Sequence, residues 1–116
     1  MVVDGVFQSD LTDDEVNRIF RALADATRRD ILRRTLVGEV TVSNLAADYD
    51  MSFAAVQKHV AVLEGAGLVT KLPSGRERLV RANPDTISKA QALLSHFERL
   101  WQSRINRLDE LFAEES

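Results

Sequence analysis

The sequence predicts a mainly α domain carrying one small β-hairpin, and three features predict it. Apolar residues recur at steps of three and four through most of the 116 residues, the signature of amphipathic helices. Thr12, Thr41 and Ser52 stand as capping residues ahead of such runs, and Gly38, Gly65 and Gly67 follow them. A single turn-rich tetrapeptide, Pro73 to Arg76, separates two β-compatible runs. The length predicts one domain over 1–116, and a hydrophobic content of 45% is ample for its core. Within it, 1–11 reads as a flexible N-terminus and 84–116 as a helix for dimerisation.

Thr12 followed by Glu15 forms a capping box. Val16, Ile19, Phe20 and Leu23 then supply the apolar face of a first helix ending near Ala24. Asp25 restarts the chain. From Ala26 the apolar positions Ile31, Leu32 and Leu36 define a second helix that stops at Gly38, with Arg28, Arg29, Arg33 and Arg34 on its other faces. Those arginines could touch a phosphate backbone, but a solvated or ion-paired helix surface is the better account of basic residues at such positions.

The stretch from Thr41 to Val69 is the most informative part of the chain. Thr41 caps a short helix with Val42, Leu45 and Ala46 on one face, and the run breaks at Asp48, Tyr49 and Asp50. Ser52 caps the next helix, in which Phe53, Val56, Val60 and Leu63 form one buried stripe. Its opposite face carries Ala54, Ala55, Lys58, Ala61 and Val62, with Gln57 at the edge. Small residues around a lysine and an amide suit a helix that must enter a major groove and read base edges. Two helices joined by a tight turn in this way are a helix-turn-helix. His59 lies beside the buried stripe, where a packing or backbone-anchoring role is expected of it.

After the glycines, Leu68 to Leu72 and Glu77 to Ala82 read as the two strands of a hairpin. It holds Lys71, Arg76, Arg78 and Arg81 against one acid, Glu77. Directly behind a recognition helix, a basic hairpin is a wing able to clamp phosphates or reach a minor groove; the plainer alternative is a solvated hairpin. Asn83, Pro84 and Asp85 then start a last helix, with proline near its first turn. Ile87, Ala90, Leu94, Phe97, Trp101, Leu108 and Leu111 step along it by threes and fours, broken at Arg104, and Leu93, Leu100, Ile105 and Phe112 widen the stripe. Roughly thirty residues of helix span on the order of 40 Å, longer than so small a core can cover. Part of this face is therefore expected to meet a second chain, with packing on its own subunit as the alternative for the first half. Phe20 and Leu23 of the first helix and Leu94, Phe97, Trp101 and Leu108 of the last are the candidate dimer residues.

A chain without cysteine has no disulfide, thiolate metal site or thiol switch. No apolar run of membrane-spanning length and no secretory signal is visible, so no membrane partner and a cytoplasmic location are expected. The formal net charge of −3 argues mildly against nucleic acid, but its distribution weakens the objection. Between Gln57 and Arg81 stand Lys58, Lys71, Arg76, Arg78 and Arg81 against Glu64 and Glu77, while acids gather near both ends. Local field governs phosphate contact more than net charge does. No phosphate loop, metal cluster or paired nucleophile is visible, and Thr41, Ser43 and Ser52 are better explained as residues at helix starts, so catalysis and cofactors are not expected.

The stretch ALADATRRDIL (Ala22 to Leu32), the segment VSNLAADYDMSFAAVQKHVAVLEGAGLV (Val42 to Val69) and LPSGRERLVRAN (Leu72 to Asn83) together resemble the ArsR-type winged helix-turn-helix regulators of prokaryotes. The tail FERLWQSRINRLDELF resembles the family's non-metal branch, in which an extended last helix joins the first in the dimer interface. The resemblance implies a homodimer that binds palindromic operator DNA and represses transcription until a signal loosens it. Two departures bear on that signal. The region of the family's cysteine pair reads SNLAADY here, and the tail offers only His96 with Glu98, too sparse for a four-ligand site. The candidate contacts to double-stranded DNA are Thr41, Ser43, Ser52, Ala54, Ala55, Gln57, Lys58, Ser74, Arg76 and Arg78, with an effector of unknown kind as a further partner. Two alternatives remain at this stage: a winged-helix module for protein contact and a metal-responsive repressor.

Overall fold

The computed structural model of the chain describes residues 10–115. Among them five helices and three short strands follow in the order α1 (Asp13–Leu23), α2 (Ala26–Val37), β1 (Val40–Thr41), α3 (Val42–Tyr49), α4 (Phe53–Gly65), β2 (Val69–Ser74), β3 (Glu77–Ala82) and α5 (Pro84–Glu115). Of the segment 1–11 expected to be flexible, residues 1–9 lie outside the described residues. Leu11 is described, and it sits partly buried against the core.

The caps act as their chemistry requires. Thr12 Oγ1 accepts the Glu15 N–H while Glu15 Oε1 accepts the Thr12 N–H, the reciprocal box that satisfies two amides at the start of α1. That second bond is the main reason the Glu15 carboxyl titrates below its ordinary range. Asp25 caps α2 by accepting the Arg28 N–H at 3.0 Å. Arg28 and Arg29 then reach back: Arg28 donates to the carbonyls of Ala22 and Arg21, and Arg29 to that of Leu23. They lie at the end of α1, where a helix leaves carbonyls without i+4 partners, and positive charge there also matches the helix dipole. The two arginines thus weld α1 to α2.

The core is made by Ile19 and Ala22 of α1, Ile31 of α2, Val42 and Leu45 of α3, Val56, Val60 and Leu63 of α4, and Val40, Leu68, Val69 and Val80 around the sheet. Two expected core residues are absent from it. Leu36 is 55% exposed, because the last turn of α2 runs past its neighbours, and the small Thr35 is buried in its stead with its hydroxyl donating to Leu32 O. Phe53 is also exposed. Leu23 packs partly buried against its own core, so of the two residues expected to offer α1 to a partner, Phe20 stands open and Leu23 does not.

The sheet is antiparallel in the order β1-β3-β2. Strand β1 was not expected; it is two residues that borrow regularity from β3, with Val40 opposite Val80. The hairpin is longer and tighter than the sequence suggests. Pro73 and Ser74 belong to β2, leaving Gly75 and Arg76 as a two-residue turn. Gly75 has φ +63°, the conformation glycine supplies at the first position of such a turn. Leu68 belongs to the end of α4, where the Leu68 N–H reaches Leu63 O and the Gly67 N–H reaches Glu64 O. This is a Schellman cap, and Gly67 takes the left-handed conformation it needs, φ +77°.

Helix α5 has 32 residues, about 48 Å at the usual rise. Among the described residues its first turns pack against the core, through Ile87 and Ala90. The molecule consequently measures 68 × 30 × 20 Å with a radius of gyration of 19.3 Å, where a compact chain of this length would have about 13 Å.

Candidate nucleic-acid interface

The turn between α3 and α4 is made by Asp50 to Ser52. Asp50 is left-handed, φ 53° and ψ 44°, a conformation aspartate tolerates better than most residues. Its N–H and that of Met51 close the end of α3 onto Ala47 O and Ala46 O. Helix α3 runs two residues further than expected, through Asp48 and Tyr49, and Tyr49 is held from α2. Its hydroxyl donates to Asp30, Arg34 lies over its ring at 5.4 Å, and Arg34 also bonds Asp48 at 2.6 Å. The Tyr49 hydroxyl is the chief cause of a lowered Asp30 pKa, while burial first, and then Asp30, raise that of Tyr49. All four arginines of α2 therefore have partners inside the chain: Arg28 and Arg29 on α1, Arg33 on Asp30 and Arg34 on Asp48. The ion-paired account holds for Arg33 and Arg34, whereas Arg28 and Arg29 bond backbone carbonyls of α1 instead.

His59 neither anchors backbone nor sits in the core. Its Nδ1 lies 3.8 Å from Asp25 Oδ2 with the side chain 21% exposed, so it links α4 to the cap of α2. Asp25 titrates low, mainly because it accepts the Arg28 N–H, with His59 a smaller contributor.

Thr41 Oγ1 accepts the Asn44 N–H and Ser52 Oγ accepts the Ala55 N–H, each at 3.1 Å. Both hydroxyls are thus used as acceptors, and each keeps a proton to donate to a phosphate oxygen. Ser43, Ser52, Ala54 and Lys58 are exposed; Thr41, Ala55 and Gln57 are partly buried. Ala54, Lys58, Ala61 and Val62 make an open, low-relief face on α4. Phe53, expected in the buried stripe, is 48% exposed although Val56, Val60 and Leu63 are sealed. Helical spacing tells which way a residue points, but not whether a neighbour extends far enough to cover it, and here none covers the first turn. Roughly 100 Å² of ring surface is left in solvent, which forgoes about 2 kcal/mol of burial.

In the wing, register decides which side each residue serves. Lys71 faces buried Val80, so alternation puts Pro73 and Arg78 on that face and Leu72, Leu79 and Arg81 on the other. The Lys71 ammonium lies 3.6 Å from Glu64, so this face is turned toward the C-terminal end of α4. Arg81 on the opposite face pairs with Glu39 at 3.6 Å. Of the five basic residues in this region, Lys71 and Arg81 are internally paired. Lys58, Arg76 and Arg78 are exposed and, among the described residues, carry no ion pair. Ser74, at the wing tip, is exposed on the face opposite Arg78.

A family model described as a helix-turn-helix domain matches residues 23–71. The chain is 34% identical over 99 residues to the HTH-type transcriptional regulator Rv2034 of Mycobacterium tuberculosis, covering 85% of this chain and 90% of that one. A crystal structure of an ArsR family transcriptional regulator superposes with a TM-score of 0.74 at 35% identity, covering 80% of this chain and 96% of the other. A solution structure of a homodimeric winged helix-turn-helix DNA-binding domain from Mycobacterium bovis shares the fold at 22% identity and a TM-score of 0.61, covering 78% of this chain and 91% of the other.

Proposed function

Since the chain belongs to the ArsR family of winged helix-turn-helix transcriptional regulators, we propose that it works as a homodimeric repressor seated on a palindromic operator, with α4 in the major groove and the wing on the flanking backbone. One observation carries the reading: α4 leaves Ala54, Lys58, Ala61 and Val62 exposed, and Lys58 on it and Arg76 and Arg78 on the following hairpin are exposed cations without an ion pair among the described residues. Small side chains let the helix approach base edges, and the cations Lys58, Arg76 and Arg78 are available to phosphates. Gln57 and Lys58 are the readers, Thr41, Ser43, Ser52 and Ser74 donate to phosphate, and Ala54 and Ala55 admit the groove wall.

The second half of the reading is the partner. On α5 the side chains of Leu94, Phe97, Trp101 and Leu108 are 44–58% exposed, and Phe20 on α1 is 42% exposed. A second copy would cover that face; the Mycobacterium bovis domain that shares the fold is homodimeric. The assembly acts by binding and not by catalysis, and as a regulator of transcription it works in the cytoplasm. Its signal is other than a thiolate-bound metal. The sequence has no cysteine, and among the described residues no three His, Cys, Asp or Glu side chains are grouped to hold an ion.

Gel-shift titration of the purified chain against a duplex enriched from a random pool tests the proposal. The association constant should fall log-linearly between about 50 and 200 mM salt, as phosphate contacts release counterions. No affinity above that for the unselected pool would overturn the operator reading and leave a protein-contact module.

A further inference from the structure

Phe53 is the first residue of α4, and the exposure of its ring is out of keeping with the stripe it begins. Met51, two residues earlier, packs against the core, and Phe53 does not. Among the described residues no aromatic ring stacks on it and no cation covers it. On one side Ser52 is committed to the helix cap; on the other, Ala54 is exposed and too small to shield the ring. The position is therefore an apolar, uncrowded surface at the head of a recognition helix, the part of such helices that meets base edges.

Only one base offers an apolar group in the major groove. Thymine carries its C5-methyl there, and a phenyl ring is among the side chains that meet it by contact instead of hydrogen bonding. We infer that Phe53 reads a thymine methyl in each half-site of the operator, an inference that rests on α4 being the DNA-reading helix. Phe53 then adds shape and methyl recognition to whatever Gln57 and Lys58 read by hydrogen bonding.

Deoxyuridine tests this, because it keeps every hydrogen-bonding group of thymidine and lacks the methyl. With the wild-type chain and a duplex it has enriched from a random pool, each thymine is replaced in turn. One position per half-site should lose affinity about four-fold, the value of burying one methyl group. Phe53→Ala should bind the thymine and uracil duplexes equally, and Phe53→Leu should keep part of the difference. Circular dichroism melts of both variants accompany the titrations, and the leucine variant serves if the alanine variant does not fold. Equal wild-type affinity at every uracil position, or a methyl preference that survives both substitutions, overturns the assignment of Phe53 while leaving α4 as the reader. Failure to enrich any duplex removes the reading of α4 itself, and this inference with it.

Discussion

A single hydroxyl shows how much the placement of the helix-turn-helix depends on individual side chains. Tyr49 donates to Asp30 and lies under Arg34, so α3 is fastened to α2 through groups that are only partly buried. Tyr49→Phe removes the hydroxyl and leaves the ring, and should lower the unfolding temperature by a few degrees, as loss of a hydrogen bond of about 1 kcal/mol does in a domain this size. The same bond has a pH signature. Asp30, Asp25 and Glu15 all have folded pKa values below their ordinary 3.8, 3.8 and 4.5. Each therefore contributes stability that is complete above its ordinary value and is lost as the pH falls through the lowered one. Thermal melts between about pH 6 and pH 3 should show stability declining below pH 4.5, and the decline should be shallower in Tyr49→Phe. A variant with the same acid slope as the wild type would mean that Asp30 owes its acidity to something other than Tyr49. At the interface, replacing Gln57 and Lys58 together by alanine should remove most discrimination between enriched and random duplex, at about 1 to 3 kcal/mol per good base contact.

Among the elements, the wing makes the most direct prediction. Arg76→Gln with Arg78→Gln should flatten the salt dependence of DNA binding by roughly one unit of slope for each phosphate no longer neutralised. Lys71→Gln should not, because Lys71 is turned to Glu64; an equal flattening by Lys71→Gln would refute the division drawn from strand register. The elements themselves are largely legible in the sequence, and the reason is local chemistry. Thr12, Thr41 and Ser52 announce helix starts through hydrogen bonds made within three residues, so no distant contact is needed to foresee them. What the sequence hides is decided at a distance. Strand β1 is two residues long and exists only because β3 pairs with it. Leu36 and Phe53 obey the helical period yet lie beyond the reach of the neighbours that seal Ile31 and Val56. The tasks of Arg28 and Arg29 are hidden for the same reason, since the carbonyls they cap belong to another helix.

At the scale of the whole molecule, a body sealed around Leu45 and Leu63 carries an arm whose apolar side chains remain open. Association should therefore be coupled to stability. The melting temperature should rise with protein concentration, and Trp101→Ala should weaken the dimer by on the order of 3 kcal/mol if the ring is enclosed on association. Sedimentation across a dilution series checks the association, and melts across the same series check the coupling. A chain that stays monomeric at tens of micromolar yet binds a palindrome tightly would contradict the arm's assigned role. DNA affinity should also be indifferent to added zinc, cadmium or arsenite, and release at stoichiometric metal would restore a metal-responsive repressor as the better account.

Gly67 is where these scales meet. It ends the recognition helix in a left-handed turn, and a Cβ there would stand 3.3 Å from Thr86 Oγ1 in the first turn of α5. α4 and the long arm are thus packed closely where the chain passes from one to the other. On a lever of about 48 Å, a tilt of about 5° there moves the far end by roughly 4 Å, comparable with the rise of one base pair, about 3.4 Å. In a symmetric dimer the joint would then act as a ruler, setting the phase between two half-sites, and any signal that bends it by a few degrees would put both reading heads out of step with the groove.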